Sequence, residues 1–191
     1  MIALLDANLF VPTWIIDPLL SLAEAGLCEP AWSARVMDEA RLAIMEVRHV
    51  PDVRARGFLD AICRAFPMAM AEDWERFEPD VNLSDPNDGH VVAAARRAGA
   101  ETIVTFNLKD FPADELSRYG LHAQSPDVFL TSVFDAHPEE AMDAMRRLVS
   151  AMQPWPKLEL GAAVGFDTTY TAQTSGGSIM DYLMTIGAAC D

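Results

Sequence analysis

Two hydrophobic rhythms alternate along this chain. Short unbroken apolar runs, each about the length of a strand, are separated by stretches in which apolar residues return every three or four positions, as on one face of a helix. Residues 2–5, Ile-Ala-Leu-Leu, form the first run. It stops at Asp6 and meets Pro12 too soon to be a helix, so a buried strand is predicted. Beyond Pro12, Ile15, Leu19, Leu22 and Ala23 recur at helical spacing up to a capping Gly26, and residues 28–32 predict a second short strand. Ser33 is placed to cap a helix reaching about Arg48, with Val36, Ala40, Ala43 and Val47 as its inward stripe. Pro51 separates it from another helix that carries Phe58, Ile62, Ala65 and Phe66 and ends near Pro67. Asp85-Pro86 opens and Gly99 closes a further helix, following the proline-first, glycine-last asymmetry, and residues 102–106 predict a buried strand. A short helix over 113–118, a strand around Leu121, a helix after Ser125 and a last helix from about Pro138 to Met152 complete the series. The last of these has Ala141, Met145, Leu148 and Met152 on its apolar face. Strands alternating with helices predict an α/β fold with a parallel sheet. Past Pro154 the periodicity fades, and the uncharged polar run 168–178 predicts irregular chain.

With 191 residues, 51% hydrophobic and 23% charged, the chain suits one globular domain with an added segment. A chain of this size buries a sufficient core without a disulfide or metal staple, so any metal would be functional. Cys28, Cys63 and Cys190 are odd in number and share no metal-binding or redox spacing, which fits a reducing cytoplasm. Asp6 interrupts the opening apolar run before a secretory leader develops, and no uninterrupted apolar stretch has the roughly 20 residues that a membrane span needs. The expectation is a cytoplasmic protein with no membrane association.

Charge changes the picture further. Against 14 basic side chains stand 29 acidic ones, a net charge of −15, which excludes a broadly basic nucleic-acid-binding surface. The distribution is uneven: six arginines lie between Arg35 and Arg64 beside five acids, whereas residues 65–95 hold seven acids and one arginine. Solvated helix faces explain such a band unless it borders a site. From Asp127 onward nine acids face three bases, with no chemistry attached to them.

In open parallel sheets, sites gather beyond the carboxyl ends of the strands. Asp6 and Asn8 follow the first predicted strand, and Asn107 and Asp110 follow the one over 102–106, so their polar ends converge if the two strands are neighbours. Taken singly, each is equally well a turn residue. Glu39 borders the apolar stripe of its helix, about 60° to one side of Val36, where it either reaches a cleft or forms an ordinary helix border with Glu46. Asp88 stands at the third helical position after a capping Asp85, suited to a variant capping box and to the helix dipole. Being three and four residues before Val91 and Val92, it also overlies the buried face. Together, Asp6, Glu39, Asp88 and Asp110 would not all stay ionised at close quarters without a cation, because like charges raise one another's pKa. Oxygen ligands select a hard ion such as Mg²⁺ or Mn²⁺ over zinc, and His49, His90, His122 and His137 show no paired ligand spacing. His90 is expected in a supporting or surface role.

At these residues the chain resembles PIN-domain ribonucleases of the VapC-like kind, the toxins of bacterial toxin–antitoxin pairs. The resemblance is carried by Leu4-Leu5-Asp6-Ala7-Asn8, by Trp32-Ser33-Ala34-Arg35-Val36-Met37-Asp38-Glu39, by Asp85-Pro86-Asn87-Asp88-Gly89-His90-Val91-Val92-Ala93-Ala94-Ala95 and by Ile103-Val104-Thr105-Phe106-Asn107-Leu108-Lys109-Asp110-Phe111. These four segments stand in order within residues 2–127. The resemblance implies a PIN-like three-layer fold over residues 1–135, with a parallel sheet of about five strands between helices. A C-terminal helical extension at 136–158 and an irregular or poorly ordered tail at 159–191 would follow. It also implies an acidic pocket that holds Mg²⁺ or Mn²⁺ and cleaves single-stranded or structured RNA. The family's first acid falls on Asp6, with Asn8 as its polar companion, the second on Glu39 and the third on Asp88, and these three would hold the metal. The fourth is shared between Asn107, where many relatives have aspartate, and Asp110, because the spacing to Asp110-Phe111 is one residue longer than the common pattern.

The activity expected is hydrolysis of RNA phosphodiester bonds by a catalytic set of Asp6, Glu39, Asp88, Asn107 and Asp110. Thr105 and Asn107 would position the metal's shell or the scissile phosphate, Asn8 would join Thr105 in binding the substrate, and Arg35 or Arg41, flanking Glu39, would contact phosphates. Salt bridges to Asp38 and neighbouring acids are the simpler account of many of these arginines. The resemblance further implies a cognate antitoxin with a basic segment and a homodimer, and the acidic stretch 72–88 offers such a partner a surface. Two other classes compete. A HAD-type phosphatase also places an aspartate after its first strand but needs an acid two residues on, where this chain has Asn8. A catalytically weak PIN-like binding or regulatory module would accommodate both Asn107 and the negative charge.

Overall fold

An apolar strand can have neighbours at both edges and cover on both faces, and β1 (Ile2–Leu5) has both. In the computed structural model it pairs in parallel with β2 (Glu29–Ala31) on one side and β3 (Thr102–Val104) on the other, Leu4 lying opposite Ala31 and Ile103. β4 (His122–Gln124) pairs with β3, which gives a parallel sheet in the order β2-β1-β3-β4. The structure describes residues 1–83 and 85–151, and the tail expected to be irregular, 159–191, lies outside them.

About five strands were expected, and four form among the described residues. A fifth position is taken by a single parallel bridge between Trp32 and Met70. There the Trp32 N–H donates to the Ala69 carbonyl at 2.9 Å and the Ala71 N–H to the Trp32 carbonyl at 2.8 Å. Pro67 just upstream, and Glu72 and the left-handed Asp73 just downstream, leave too short a segment for a ladder. β3 is also shorter than predicted. Thr105 still gives its N–H to Gln124, but the next two amides are taken by side chains, Phe106 N–H by Asn8 and Asn107 N–H by the Thr105 hydroxyl.

Seven α-helices form among the described residues: α1 (Thr13–Glu24), α2 (Ala34–Arg48), α3 (Asp52–Ala65), α4 (Gly89–Ala98), α5 (Ala113–Leu116), α6 (Pro126–Ala136) and α7 (Pro138–Ala151). Ser33 caps α2, its hydroxyl accepting the Val36 N–H at 3.2 Å. The buried side of α2 is Val36, Met37, Ala40 and Ile44, while Val47 is 63% exposed and Ala43 only partly covered. The helix is rotated from its predicted stripe because Met37 and Ile44 bring far more apolar surface to the core than Ala43. α3 likewise turns Ala55, Leu59 and Ile62 inward and leaves Ala65 exposed, with Phe58 under the Arg48 guanidinium.

Pro86–Asp88 is a separate 3₁₀ turn and not the first turn of a long helix; α4 begins only at Gly89. It ends at Gly99, whose φ of +67° needs glycine. Residues from Gly89 to Ala95 are buried all round, because α4 packs against β1, β3 and the 3₁₀ segment Trp74–Asp80.

The chain divides into two compact units. One holds Met1–Ile16 and Cys28–Pro126, hence the whole sheet and α2 to α5. The described part of the other is Asp17–Leu27 and 127–151, with Leu22, Phe129, Leu130, Phe134 and Met145 among its buried residues. No helix among the described residues is long and apolar enough to cross a membrane.

Candidate active site

The chain leaves β1 on one side to form β2 and returns past β1 to form β3, so the sheet order reverses between β1 and β3. That is where an open parallel sheet leaves a crevice beyond its carboxyl ends. Asp6 ends β1 in this crevice and is held there from several directions. Its Oδ1 accepts the Ala7 N–H at 2.7 Å, and its Oδ2 accepts the Thr105 hydroxyl and the Asn8 amide, each at 2.7 Å. The Asn8 amide also donates to the Thr105 hydroxyl at 3.0 Å, and its Oδ1 takes the Phe106 N–H at 3.4 Å. Burial pushes the Asp6 carboxyl above its ordinary range, with the Asp110 charge adding to it, while the bonds from Thr105, Ala7 and Asn8 pull the other way.

The other acids arrive from three elements. Glu39 lies in the second turn of α2, carried there by the Ser33 cap; its Oε1 accepts from Arg35 Nε at 3.3 Å and lies 3.1 Å from His90 Nε2. Burial raises its pKa first, Arg35 opposes this, and the Asp6 charge adds to the rise. Asp88 ends the 3₁₀ turn before α4. No side-chain bond closes the capping box its position suggested, because the preceding Asp85 takes the Asn87 N–H at 2.9 Å and α4 starts only after Asp88. Its pKa is pushed up to about 6, by burial first and then by Asp110, Asp85, Asp6 and Glu39. Asp6, Glu39, Asp88 and Asp110 thus sense one another's charge although more than a hundred positions separate the first from the last.

The fold separates two residues between which spacing could not choose. Asn107 turns its side chain to solvent, while Asp110, at the end of the 3₁₀ turn Leu108–Asp110, returns close enough to raise both Asp6 and Asp88. Thr105 is fully buried with its hydroxyl committed to Asp6, Asn8 and Asn107, so it positions Asp6 and is too deep to touch a phosphate. Arg35 stands at Glu39 and also reaches Glu78 at 3.5 Å. Arg41 is not brought to these acids: it bonds Asp52 at 2.5 Å and lies 3.5 Å from Asp38.

Of the two roles expected for His90, supporting or surface, its place beside Glu39 fits the first. It is buried, not on the surface, with its ring 6.0 Å from Trp74. Burial, then the charge of Arg35, lowers its pKa to about 4, so the ring is neutral at pH 7. Its Nε2 lies 3.1 Å from the Glu39 carboxylate, and Nδ1 has no partner among the described residues. The signal for its burial was its place at the head of an otherwise apolar run, Val91 to Ala95.

As posed, no three histidine, cysteine, aspartate or glutamate side chains among the described residues are arranged to hold one metal ion. Asp6 is turned to Thr105 and Asn8, and Glu39 to Arg35 and His90. The donor set is nevertheless all oxygen, its like charges raise one another's pKa, and a hard divalent cation relieves that repulsion. By their chemistry the acids suit such an ion.

Residues 3–109 match the family described as PIN domain, a span that contains Asp6, Glu39, Asp88 and Asn107 and stops one residue short of Asp110. Over 64 residues the chain is 45% identical to the Mycobacterium tuberculosis protein named "Putative ribonuclease VapC50". That match covers 34% of this chain and 38% of the relative's length. The chain is also similar to one in the crystal structure of VapBC2 from Rickettsia felis bound to a DNA fragment from their promoter. There the identity is 19%, the coverage 65% of this chain and 98% of the other, and the TM-score 0.47.

Proposed function

This chain belongs to the PIN domain family, and from that premise we propose that it is an endoribonuclease dependent on Mg²⁺ or Mn²⁺, the toxin of a type II toxin–antitoxin pair. The observation that carries the proposal is the convergence of Asp6, Glu39, Asp88 and Asp110 at the crevice between β1 and β3, where burial first and then the other three charges push the Asp88 carboxyl up to about 6. Similarity to a protein named as a ribonuclease points the same way.

In this reading Asp6, Glu39 and Asp88 hold the cation or its waters, and Asp110 adds charge at the rim. The ion, when bound, supplies Lewis-acid stabilisation of the phosphate and a nucleophilic water at neutral pH. Thr105 and Asn8 fix the Asp6 carboxylate, and His90 packs against Glu39. Asn107, exposed on the same loop, donates its amide to a phosphate oxygen without adding charge. Arg35 exchanges Glu39 or Glu78 for phosphate, a swap its partly exposed side chain permits. The protein works in the cytoplasm, as a homodimer, and is restrained by an antitoxin whose basic segment meets the acids of 72–88.

Purified protein is expected to cleave single-stranded RNA only with Mg²⁺ or Mn²⁺ present. Removing a residue that holds a catalytic metal costs at least as much as removing its outer partners, so Asp6→Asn and Asp88→Asn should each lose more than about a hundredfold in kcat/KM. Equal activity in wild type and variants would sink the site. Induced expression should arrest growth of a bacterial host, and the Asp6→Asn protein should not; arrest by both would remove the link between toxicity and this pocket.

A further inference from the structure

Two large aromatic rings are partly exposed near the end of β3 that carries this crevice. Trp14, in the first turn of α1, is 42% exposed, and Phe106, directly after Thr105, is 47% exposed. Their ring centroids lie 6.4 Å apart with planes inclined by 53°, and Leu108, 44% exposed, follows two residues on. Single apolar side chains on a surface are ordinary, whereas an exposed group of them marks a contact surface.

Their placement says what the contact is. The Phe106 backbone is tied to the acid network on both sides: its own N–H donates to Asn8, and its neighbours Thr105 and Asn107 share the hydroxyl that holds Asp6. A ligand on this ring is therefore in register with the crevice. Charge offers an RNA strand little hold here, since four carboxylates repel it, Arg41 is engaged by Asp52, and Arg35 is shared between Glu39 and Glu78. Stacking on an aromatic face is the uncharged means of holding a nucleotide, and every base has such a face. It is open only to unpaired bases, because those in a duplex already stack on one another.

We propose that Trp14 and Phe106 form a stacking platform for an unpaired nucleobase next to the scissile phosphate. This rests on the ribonuclease reading above. A protein partner docking on the same rings is the competing use, and the experiment separates the two.

Steady-state cleavage of a single-stranded oligoribonucleotide with Mn²⁺ is compared for wild type, Trp14→Ala, Phe106→Ala and Phe106→Tyr. Each substrate is also made with one abasic ribonucleotide, moved along the strand. Stacking of this kind predicts that the alanine variants raise KM about tenfold to a hundredfold while kcat changes by less than about threefold, and that Phe106→Tyr stays near wild type. One abasic position should impose a similar rise on wild type and none on Phe106→Ala. Both side chains are about half exposed, so the variants should melt close to wild type; the tyrosine variant and the abasic series test the proposal even if one does not fold. Unchanged KM with a flat abasic series, in a protein that cleaves, overturns the platform and leaves the ribonuclease reading standing. If the same variants keep their KM but escape inhibition by a basic protein partner, the rings belong to a protein interface and the platform is overturned. No RNA cleavage by wild type removes both readings.

Discussion

One hydroxyl orders much of the crevice. The Thr105 oxygen, itself fully buried, gives its proton to Asp6 and accepts from the Asn8 amide and the Asn107 N–H. Valine has nearly the same shape and none of these bonds, so Thr105→Val leaves buried partners unmet and should lower unfolding free energy by about 1–3 kcal/mol in urea titrations. Since Thr105 acts through Asp6, kcat should fall while KM holds, and Thr105→Ser should recover most of both; a variant with unchanged kcat would mean that Asp6 needs no such anchor. At this scale the strand ends were readable in advance, because an acid directly after an apolar run has few other places to be. Asp6 and Asn8 were found that way. What the chain hides at residue level is depth and return. Nothing in Val104-Thr105-Phe106-Asn107 says that the threonine is sealed in and the asparagine out. Nothing in the spacing says that the 3₁₀ turn brings Asp110 back toward Asp6 and Asp88.

Among the elements, α2 shows how a local capping interaction sets a distant carboxylate. Ser33 is fully buried and its hydroxyl is the partner of the Val36 N–H. Ser33→Ala should cost about 1 kcal/mol, read as a lower melting temperature by calorimetry, since N-cap replacements typically cost that much. Loss of activity beyond the loss of folded protein would show that the cap also aims Glu39. Capping signals are local in sequence, which is why this helix start, the Gly99 stop and the order of strands and helices could all be read directly. Rotation of a helix about its axis is not local. Val36 and Ala40 fit both possible faces, and only the bulk of Met37 and Ile44 against the rest of the core decides for the one observed. The segment Trp74–Asp80 was invisible for a related reason: its composition is that of a solvated loop, yet it is pinned by Trp74 on His90 and by Arg96, which lies over both Phe77 and Tyr119. Three of its neighbouring acids are already paired, Asp73 with Arg76, Glu78 with Arg35 and, at 4.0 Å, Asp80 with Arg96. Glu72 and Glu75 have no ion pair among the described residues and are the more promising contacts for a basic partner.

For the whole molecule, the crevice sets how stability follows pH. Asp88 titrates near 6 in the fold against an ordinary 3.8, so the folded protein binds this proton more tightly; the contribution is complete below 3.8 and lost as pH rises through 6. His90 runs the other way: lowered from 6.5 to about 4, it contributes fully above 6.5 and loses that as pH falls through 4. Asp6 and Glu39 are raised and side with Asp88. The cation-free protein should therefore melt at a lower temperature as pH rises from about 4.5 to 6.5, with a slope that shrinks in Asp88→Asn and steepens in His90→Gln. Calorimetry across that range checks the sign; a rising melting temperature would contradict it. Bound Mg²⁺ or Mn²⁺ favours the ionised acids and should reverse the trend, adding about 2.7 kcal/mol at a hundred times its Kd. The bond from Thr105 to Asp6 also has a consequence in time. It joins residues 99 positions apart, and ribosomes add about 5–20 residues per second. The first acid of the crevice is thus made some 5–20 seconds before the hydroxyl that anchors it, and the nascent chain stays without an assembled crevice throughout that interval.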